Sequence, residues 1–261
     1  GLIGVRNEKY GALGDWAPGR KTIYFEGGAR TYEGYYGRTP DRVEDLGRPG
    51  WVNVDGRIGY VLFGTAGVRY INRHVYPKWR GVEDTLVLNR RAGLELKPGE
   101  ALPVFVAYTL PNRDEKETAA AAAACALWDA GDPRIVLLAT PGELAYVNFR
   151  DDDVLAEGVM PAAPACGKIP LFEGAMTIAP ERAAWRGRLP RRQAGHFPLL
   201  GEIYEAAAEA GAKLTAVAAG GEAVFANTGA VPVSFRFRAG RGGTEADCRL
   251  APGQSAVFAL Q

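Results

Sequence analysis

Residues 51–89 read WVNVDGRIGYVLFGTAGVRYINRHVYPKWRGVEDTLVLN, and this stretch carries the densest strand signal in the chain. Apolar and polar residues alternate along much of it with the period of two that is typical of β-strands. Asp55-Gly56 tolerates positive φ, so it predicts a two-residue hairpin turn. The stretch therefore predicts an antiparallel, mainly β fold. The strands predicted here cover residues 51–54, 57–63, 68–76 and 85–89.

The composition suits a chain of many short strands. Of the 261 residues, 47% are hydrophobic and 23% are charged, which is enough apolar material for a sizeable core. The 34 glycines and 17 prolines indicate many turns. The formal net charge of +1 gives no overall field that would attract nucleic acid, so no nucleic-acid partner is expected.

The sequence also bears on targeting. It has no run of about 18 uncharged apolar residues, so neither a membrane span nor a membrane partner is expected. The N-terminal residues lack the pattern of a signal peptide, and the compartment stays open. The chain begins Gly-Leu-Ile rather than with methionine, which favours a processed product or a piece of a longer protein.

Strand and turn signals divide the chain into three parts. Residues 1–160 are predicted to form a large antiparallel β-sandwich that includes an alanine-rich helix over about 114–130. Residues 161–212 contain many prolines and predict an irregular connection ending in a short helix over about 200–210. Residues 213–261 alternate again between turns, and they predict a smaller C-terminal β-sandwich.

Residues that bind metals are sparse. Cys125, Cys166 and Cys248 are isolated, and the chain has 2 histidines, so a zinc site is not expected. The three aspartates at 151–153 lack the spacing of a calcium-binding loop and predict a solvated turn. We expect no metal and no cofactor. We also expect three buried reduced thiols in preference to one disulfide with a spare thiol.

Two predicted strands combine rings with hydrogen-bonding groups on one face. Residues two apart on a strand point to the same side, which groups Trp51 with Asn53 and Tyr70 with Asn72. Rings stack on the C–H faces of a pyranose and polar groups bond its hydroxyls, so one carbohydrate-binding surface is expected here. The alternative is that these side chains only cover a sheet face. The predicted ligand-binding residues are Trp51, Asn53, Tyr70, Asn72, His74, Trp79 and Arg80.

Two further clusters have both a functional and a structural interpretation. Trp79 lies in a predicted loop with Arg80, and it is either part of a sugar site or a plug at one end of a sandwich. Several arginines surround Trp185. They suit an anionic glycan such as a polyuronate or a sulfated chain, or else they pair with acids elsewhere in the molecule. These arginines are Arg182, Arg186, Arg188, Arg191 and Arg192.

Four segments carry a family resemblance. WVNVDGRIGYVLFG (51–64) and PGEALPVFVAYTLPN (98–112) resemble the β-supersandwich modules of polysaccharide lyases and related carbohydrate-active enzymes. VFANTGAVPVSFRFRAG (224–240) and CRLAPGQSAVFAL (248–260) are similar to the small β-sandwich that ends many such enzymes. In that family an (α/α) toroid usually precedes the supersandwich and carries much of the catalytic machinery. This chain has no such helical run, so the resemblance implies a missing partner domain and transfers no catalytic residue.

The expected function is therefore a carbohydrate-associated module, an accessory or non-catalytic part of a glycan-processing enzyme. One alternative is a complete enzyme acting on an acidic polysaccharide. A lyase needs a base, for which His74 and Tyr76 are the candidates. It also needs a group that neutralises the uronate carboxylate, for which Asn72, Arg73 and Arg80 are the candidates.

A glycoside hydrolase would instead need two carboxyls, and the candidate pair is Asp55 with Glu83 or Asp84. A further alternative is a purely structural or assembly module without a small ligand. No G-x-S-x-G, P-loop or dinucleotide-binding glycine pattern occurs between a predicted strand and a helix. Whether the chain is an enzyme stays open at this point.

Overall fold

The computed structural model describes residues 2–6, 19–34, 42–46, 49–64, 68–72, 83–88, 97–98, 105–161, 167–206, 209–240 and 242–260. In these ranges it has 22 strands and one helix. Every strand pairing in them is antiparallel, which confirms the predicted mainly β, antiparallel fold. The chain forms two compact units, Gly1–Ala124 and Cys125–Gln261. We call them the first and second units.

The described strands of the first unit form two sheets. One has four strands in the order β1-β8-β7-β4, and the other has five in the order β3-β2-β5-β6-β9. The strands are β1 (Leu2–Arg6), β2 (Gly19–Phe25), β3 (Gly28–Gly34), β4 (Arg42–Asp45), β5 (Trp51–Val54), β6 (Ile58–Gly64), β7 (Val68–Asn72), β8 (Glu83–Leu88) and β9 (Phe105–Pro111).

The predicted hairpin is present between β5 and β6. Asp55 and Gly56 have φ values of 55° and 66°, as the Asp-Gly pair predicts, and Val54 lies opposite Ile58. Both faces of this sheet are covered, because Val54 is buried on one face and Val61, which lies opposite Trp51, is buried on the other. The Asp-Gly turn therefore sets the register of this hairpin.

The alanine-rich helix is α1 (Glu115–Ala124), and it is shorter than predicted. Asp114 caps it, because its Oδ1 accepts a 2.8 Å hydrogen bond from the Glu117 backbone N–H. The predicted extension to residue 130 is wrong. Cys125 leaves the helix, and Ala126–Trp128 forms a strand whose Trp128 is buried in the second unit. Burial of that ring outweighs the helix propensity of the preceding alanines.

The second unit is a β-sandwich of a seven-stranded and a six-stranded sheet. The seven-stranded sheet has the order β10-β11-β12-β17-β20-β21, with β14 also paired to β17, and the six-stranded sheet has the order β13-β16-β15-β18-β19-β22. The strands are β10 (Ala126–Trp128), β11 (Ile135–Ala139), β12 (Glu143–Asn148), β13 (Val154–Val159), β14 (Lys168–Phe172), β15 (Gly174–Ala179), β16 (Arg182–Leu189), β17 (Gln193–Tyr204), β18 (Leu214–Ala219), β19 (Glu222–Asn227), β20 (Val233–Ala239), β21 (Glu245–Leu250) and β22 (Ser255–Ala259).

Rings from both sheets meet in the core of this sandwich. Trp185 of β16 lies 4.8 Å from Phe197 of β17, and Phe225 of β19 lies 4.9 Å from Phe237 of β20, measured between ring centroids. Trp185 is fully buried and donates its indole N–H to the Glu173 carbonyl at 2.8 Å. Burying each large apolar side chain contributes roughly 1.5–3 kcal/mol, so these rings are a main source of stability.

The irregular connection predicted for residues 161–212 is wrong in its secondary structure. Strands β14 to β17 occupy most of it, and the predicted helix at 200–210 begins inside β17, which continues to Tyr204. The prolines misled the prediction because they do not interrupt central pairing. Pro180 and Pro190 lie outside strands, Pro170 lies in β14, which pairs with β17 alone, and Pro198 lies within β17 opposite Glu143 of β12.

The division into units also differs from the predicted one. The observed boundary falls between Ala124 and Cys125 rather than near residue 160. Strands after residue 213 share one hydrophobic core with strands before it, since Leu137, Trp185, Leu214 and Phe225 belong to the same buried cluster. The strand pattern alone could not reveal which sheets would share a core.

Candidate functional site

The candidates from the sequence fall in different places. His74, Tyr76, Trp79 and Arg80, with Arg73, lie outside the described residues. Trp51, Asn53 and Asp55 belong to the five-stranded sheet and its hairpin turn. Tyr70, Asn72, Glu83 and Asp84 belong to the four-stranded sheet. The described strands thus place these candidates in two sheets, and a common binding surface for them stays a prediction.

Asn53 is a structural residue rather than a ligand-binding one. It is fully buried, and its amide Nδ2 donates to the Arg113 carbonyl at 2.7 Å and to Thr118 Oγ1 at 2.8 Å. Both acceptors belong to the start of α1, so the amide holds the helix on the hairpin. The prediction for Asn53 is corrected, because a side chain without exposed atoms cannot contact a saccharide.

Asp55 and Trp51 remain accessible. The Asp55 carboxylate accepts a 2.7 Å hydrogen bond from the Thr22 backbone N–H, which ties the hairpin turn to β2. Trp51 is partly exposed at the start of β5. Asp55 follows β5 of the five-stranded sheet, whereas Glu83 and Asp84 belong to the four-stranded sheet, and their pairing in a hydrolase stays a prediction.

The register of the four-stranded sheet groups several candidates. Asn72 lies opposite Asp84 on one side and opposite Arg42 on the other. The neighbouring row places Tyr70 opposite Glu44. Asn72, Asp84, Arg42 and Tyr70 thus occupy neighbouring register positions of one sheet.

Four of the five arginines around Trp185 follow the structural interpretation, whereas Arg191 has no side-chain ion pair among the described residues. Arg182 and Arg186 both bond to Glu157, with Arg186 Nε donating at 2.8 Å to its Oε2. Arg188 and Arg192 pair with acids of the 151–153 run, namely Asp153 and Asp151. That run is exposed and ion-paired, as expected of a solvated turn.

A polar face that the sequence had not suggested lies on the outside of β14, β17, β20 and β21. Its centre is the buried carboxylate of Glu202, which accepts hydrogen bonds from Tyr204 Oη at 2.6 Å and from Lys168 and Arg238. The Arg238 guanidinium also lies over the Tyr204 ring, 5.5 Å from its centroid. We call Lys168, Glu202, Tyr204 and Arg238 the Glu202 cluster.

The Glu202 cluster shifts two ionisation equilibria. Burial acts to raise the pKa of Glu202, but the hydrogen bonds from Lys168, Tyr204 and Arg238 outweigh it and lower that pKa. Burial, assisted by the Glu202 carboxylate, raises the pKa of Tyr204 to about 12. At neutral pH the cluster therefore holds an ionised Glu202 and a protonated Tyr204.

A depression beside this cluster is open to solvent, with a volume of about 310 Å³. Arg236 forms one wall and bonds through Nε to Asp247 Oδ1 at 3.0 Å. Across β20 and β21, Ser234 lies opposite Arg249. Within the described part of the chain, Arg249 has no carboxylate within ion-pair distance. We call this depression the basin; it is lined by Glu205, Ser234, Phe235, Arg236, Asp247, Cys248 and Arg249.

Glu205 forms the opposite side of the basin. It follows the last residue of β17 and has a φ of 58°, in the left-handed region that non-glycine residues seldom adopt. Residues in such conformations persist where the surrounding structure holds them, and they concentrate at functional sites. Glu205 and Arg249 thus place opposite charges on the two sides of one depression.

The sequence did contain a signal for this face. In residues 233–239 the buried positions are Val233, Phe235 and Phe237, so Ser234, Arg236 and Arg238 project outward. The same alternation in β21 leaves Glu245, Asp247 and Arg249 exposed. The sequence showed that these strands would pack a core. It could not show that their outer residues would meet Glu202 and Glu205 from β17.

No protein-family model matches this chain, and comparisons with curated proteins and with solved structures find no match. Among the described residues, no group of three or more histidines, cysteines or acids could hold a metal ion. In the same residues, no helix is long and apolar enough to cross a membrane.

Two of the three cysteines can be placed. Cys125 is buried at the end of α1 and Cys248 is half-buried in β21, and both are free thiols. Burial raises the pKa of Cys125 to about 11 and also raises that of Cys248. Cys166 lies outside the described residues. The prediction of buried, reduced thiols is confirmed for Cys125.

Proposed function

We propose that this chain is a carbohydrate-associated β-sandwich module, an accessory and non-catalytic part of a glycan-processing enzyme. The observation that carries the proposal is the basin, where carboxylates, arginines and a hydroxyl surround one open depression of about 310 Å³. A volume of that order is at the lower end of small-ligand sites, roughly 300–1,000 Å³, and suits one or two sugar rings.

The groups of the basin match the chemistry of a saccharide. Hydroxyls both donate and accept, so a sugar ring is recognised best where acceptors and donors alternate. Glu205 and Asp247 are acceptors, Arg249 is a donor without an ion-pair partner among the described residues, and Ser234 serves as both. An ionised donor forms a stronger hydrogen bond with a carboxylate or a sulfate than with a hydroxyl. Arg249 therefore favours an acidic glycan.

The dimensions agree with one ring. Glu205 leads from β17, and Arg249 lies on β21, with β20 between them. Two strand spacings correspond to about 10 Å between the backbones that carry Glu205 and Arg249. Their side chains shorten the distance between the two charged groups. A single ring therefore reaches Ser234 at the centre and both charges at the sides.

The ionisation state of this face supports an accessory role rather than catalysis. A general acid needs a raised carboxyl pKa to hold its proton near neutral pH. The pKa of Glu202 is lowered instead, and Tyr204 keeps its proton because its pKa is raised to about 12. Asp247 is already bonded to Arg236. Glu202 and Tyr204 therefore offer hydrogen bonds at neutral pH and are not tuned as a general acid and base.

A second candidate is a polysaccharide lyase. It is favoured by the register that sets Asn72 beside Arg42 and Asp84, since an amide and a guanidinium are suited to neutralising a uronate. Incubation with alginate, hyaluronate, heparin or pectin distinguishes the two candidates. Growth of absorbance from unsaturated uronate ends supports the lyase, and its absence with retained binding supports the accessory module.

Binding itself is tested with a glycan array, followed by calorimetric titration with oligosaccharides of the polymers retained. We expect Arg249→Ala to weaken binding by about tenfold or more, because it removes a charged hydrogen bond. Arg191→Ala is the matched control, since Arg191 is also exposed and has no side-chain ion pair among the described residues. The proposal fails if the wild-type protein binds no glycan, or if Arg249→Ala binds as the control does.

A further inference from the structure

The six-stranded sheet of the second unit ends in a strand with an open backbone edge. β22 pairs with β19 on one side, and no described strand pairs with its other side. The opposite side of the sandwich is closed, because Asp129 and Val159 exchange backbone hydrogen bonds of 2.9 and 2.8 Å between the two sheets. Unpaired N–H and C=O groups along an edge are a template for another strand.

The sequence of β22 leaves this edge unprotected. Its five residues, Ser255 to Ala259, include no charge, no proline and no glycine. The edge strand of the other sheet, β21, carries Glu245, Asp247 and Arg249 on its exposed positions. Charged side chains are a common means of preventing edge-to-edge pairing, so β21 is protected and β22 is not.

Exposed apolar groups accompany the open edge. Val217, Val224 and Val257 are direct neighbours across β18, β19 and β22. They are 47%, 38% and 60% exposed, with the largest value at the edge. Phe258, on the inner face of β22, is only partly buried although its ring packs against Phe225 and Phe237. A strand added beside β22 would cover Val257 and Phe258 together.

We propose that β22 is a self-association site, at which β22 of a second copy pairs antiparallel about a twofold axis centred on Val257. In such a dimer Val257 faces Val257 of the second copy, while Ala256 faces Phe258 and Ser255 faces Ala259, so a charge at the axis would meet a like charge. The uncharged sequence of β22 is suited to this arrangement, and the acids of β21 are not. The two six-stranded sheets then form one continuous sheet, and the valine row continues from one copy into the next.

Self-association is tested on the full chain by sedimentation over a wide concentration range. We expect a concentration-dependent dimer for the wild-type protein and a monomer for Val257→Lys, which places two ammonium groups at the axis. Val217→Lys is the matched control, because it adds the same charge to the same face on an interior strand, and it should still dimerise. Thermal melting verifies that both variants are folded.

A cross-linking experiment examines the register directly. Opposite residues of an antiparallel pair have Cβ atoms about 4.5–5.5 Å apart, so Val257→Cys should form a symmetric disulfide dimer on mild oxidation, whereas Val217→Cys should not. A wild-type protein that stays monomeric at all concentrations overturns the proposal. So does a dimer that tolerates Val257→Lys but is lost with Val217→Lys, because that result would assign association to the sheet face.

Discussion

Asn53 and Thr118 form the link between the hairpin and the helix of the first unit. The Asn53 amide donates to Thr118 Oγ1 at 2.8 Å, and that hydroxyl in turn donates to the Asp114 carbonyl at 2.7 Å. Both side chains are fully buried. A chain of hydrogen bonds therefore runs from β5 to the first turn of α1. It gives each buried polar group involved a partner in place of water, except for Asn53 Oδ1.

Replacing Asn53 with alanine should destabilise the first unit by about 1–3 kcal/mol, because the Arg113 carbonyl and the Thr118 hydroxyl lose a buried donor. The change is measured by urea unfolding monitored by circular dichroism. Thr31→Ala is the control; it removes an exposed hydroxyl bonded to Thr22 and should change stability by less than about 0.5 kcal/mol. Equal effects of both substitutions would contradict the structural role of Asn53.

Gly59 lies opposite Asn53, and the helix packs directly onto it. A Cβ at this position would lie 2.2 Å from Thr118 Oγ1 and 2.7 Å from its Cγ2. Gly59→Ala should therefore cost about 1–3 kcal/mol through overpacking. Thr118→Ala should relieve part of that cost, so the double variant should be more stable than the sum of the single losses predicts. Strict additivity in unfolding experiments would show that the two residues do not meet.

Glu202 should make stability depend on acidity. Its pKa is lowered in the folded state, so its contribution is present above the unfolded value of 4.5 and is lost as pH falls through the lower folded value. Glu202→Gln should reduce stability at pH 7 by about 2 kcal/mol and flatten the decline below pH 4.5.

The matched control for that experiment is Glu157→Gln. Glu157 also pairs with two arginines, but on an exposed face, so its replacement should cost less than about 1 kcal/mol at pH 7. Chemical unfolding at several pH values compares the two variants with the wild-type protein. A Glu202→Gln variant whose pH profile keeps the wild-type slope would contradict the assignment.

Tyr204 should lose its phenolic proton at a higher pH than an ordinary tyrosine. Its pKa is raised to about 12, above the ordinary 10.0, so its contribution to stability is complete below pH 10 and is lost as pH rises toward 12. Subtracting the pH titration of Tyr204→Phe from that of the wild-type protein isolates the phenolate absorbance of Tyr204. The midpoint of this difference should lie near the raised pKa of Tyr204. A midpoint near 10 would contradict the raised pKa, because it would show that burial and the Glu202 carboxylate together do not hold the phenolic proton.

The local patterns in the sequence predicted the architecture well where one residue pair decides the conformation. Asp55-Gly56 set the hairpin, and Asp114 set the start of the helix, because turn and cap preferences depend on neighbours in sequence. The end of α1 was missed because burial of Trp128 is a tertiary effect. Residues 161–212 were misread because a proline is compatible with an edge strand, and the sequence does not say which strands lie at edges.

The candidate site was harder to predict than the fold. Asn53 has the right chemistry for a sugar site, but its environment is decided by the packing of α1, which alternation along β5 does not reveal. The basin joins Glu205 of one segment to Arg249 of another, and strand order brings them together. Residue type suggested the kind of ligand that we propose, and the sheet topology shows which outer residues border one depression.

The most direct test is to map bound glycan by amide chemical shifts in a deuterated sample. Titration with the oligosaccharide selected by the array should move the amides of Glu205, Ser234, Arg236, Asp247 and Arg249. Under the same conditions the amides of residues 51–54 and 68–72 should not move. Shifts confined to those two strands, with the basin unchanged, would contradict the account and return the binding site to the residues first suggested by the sequence.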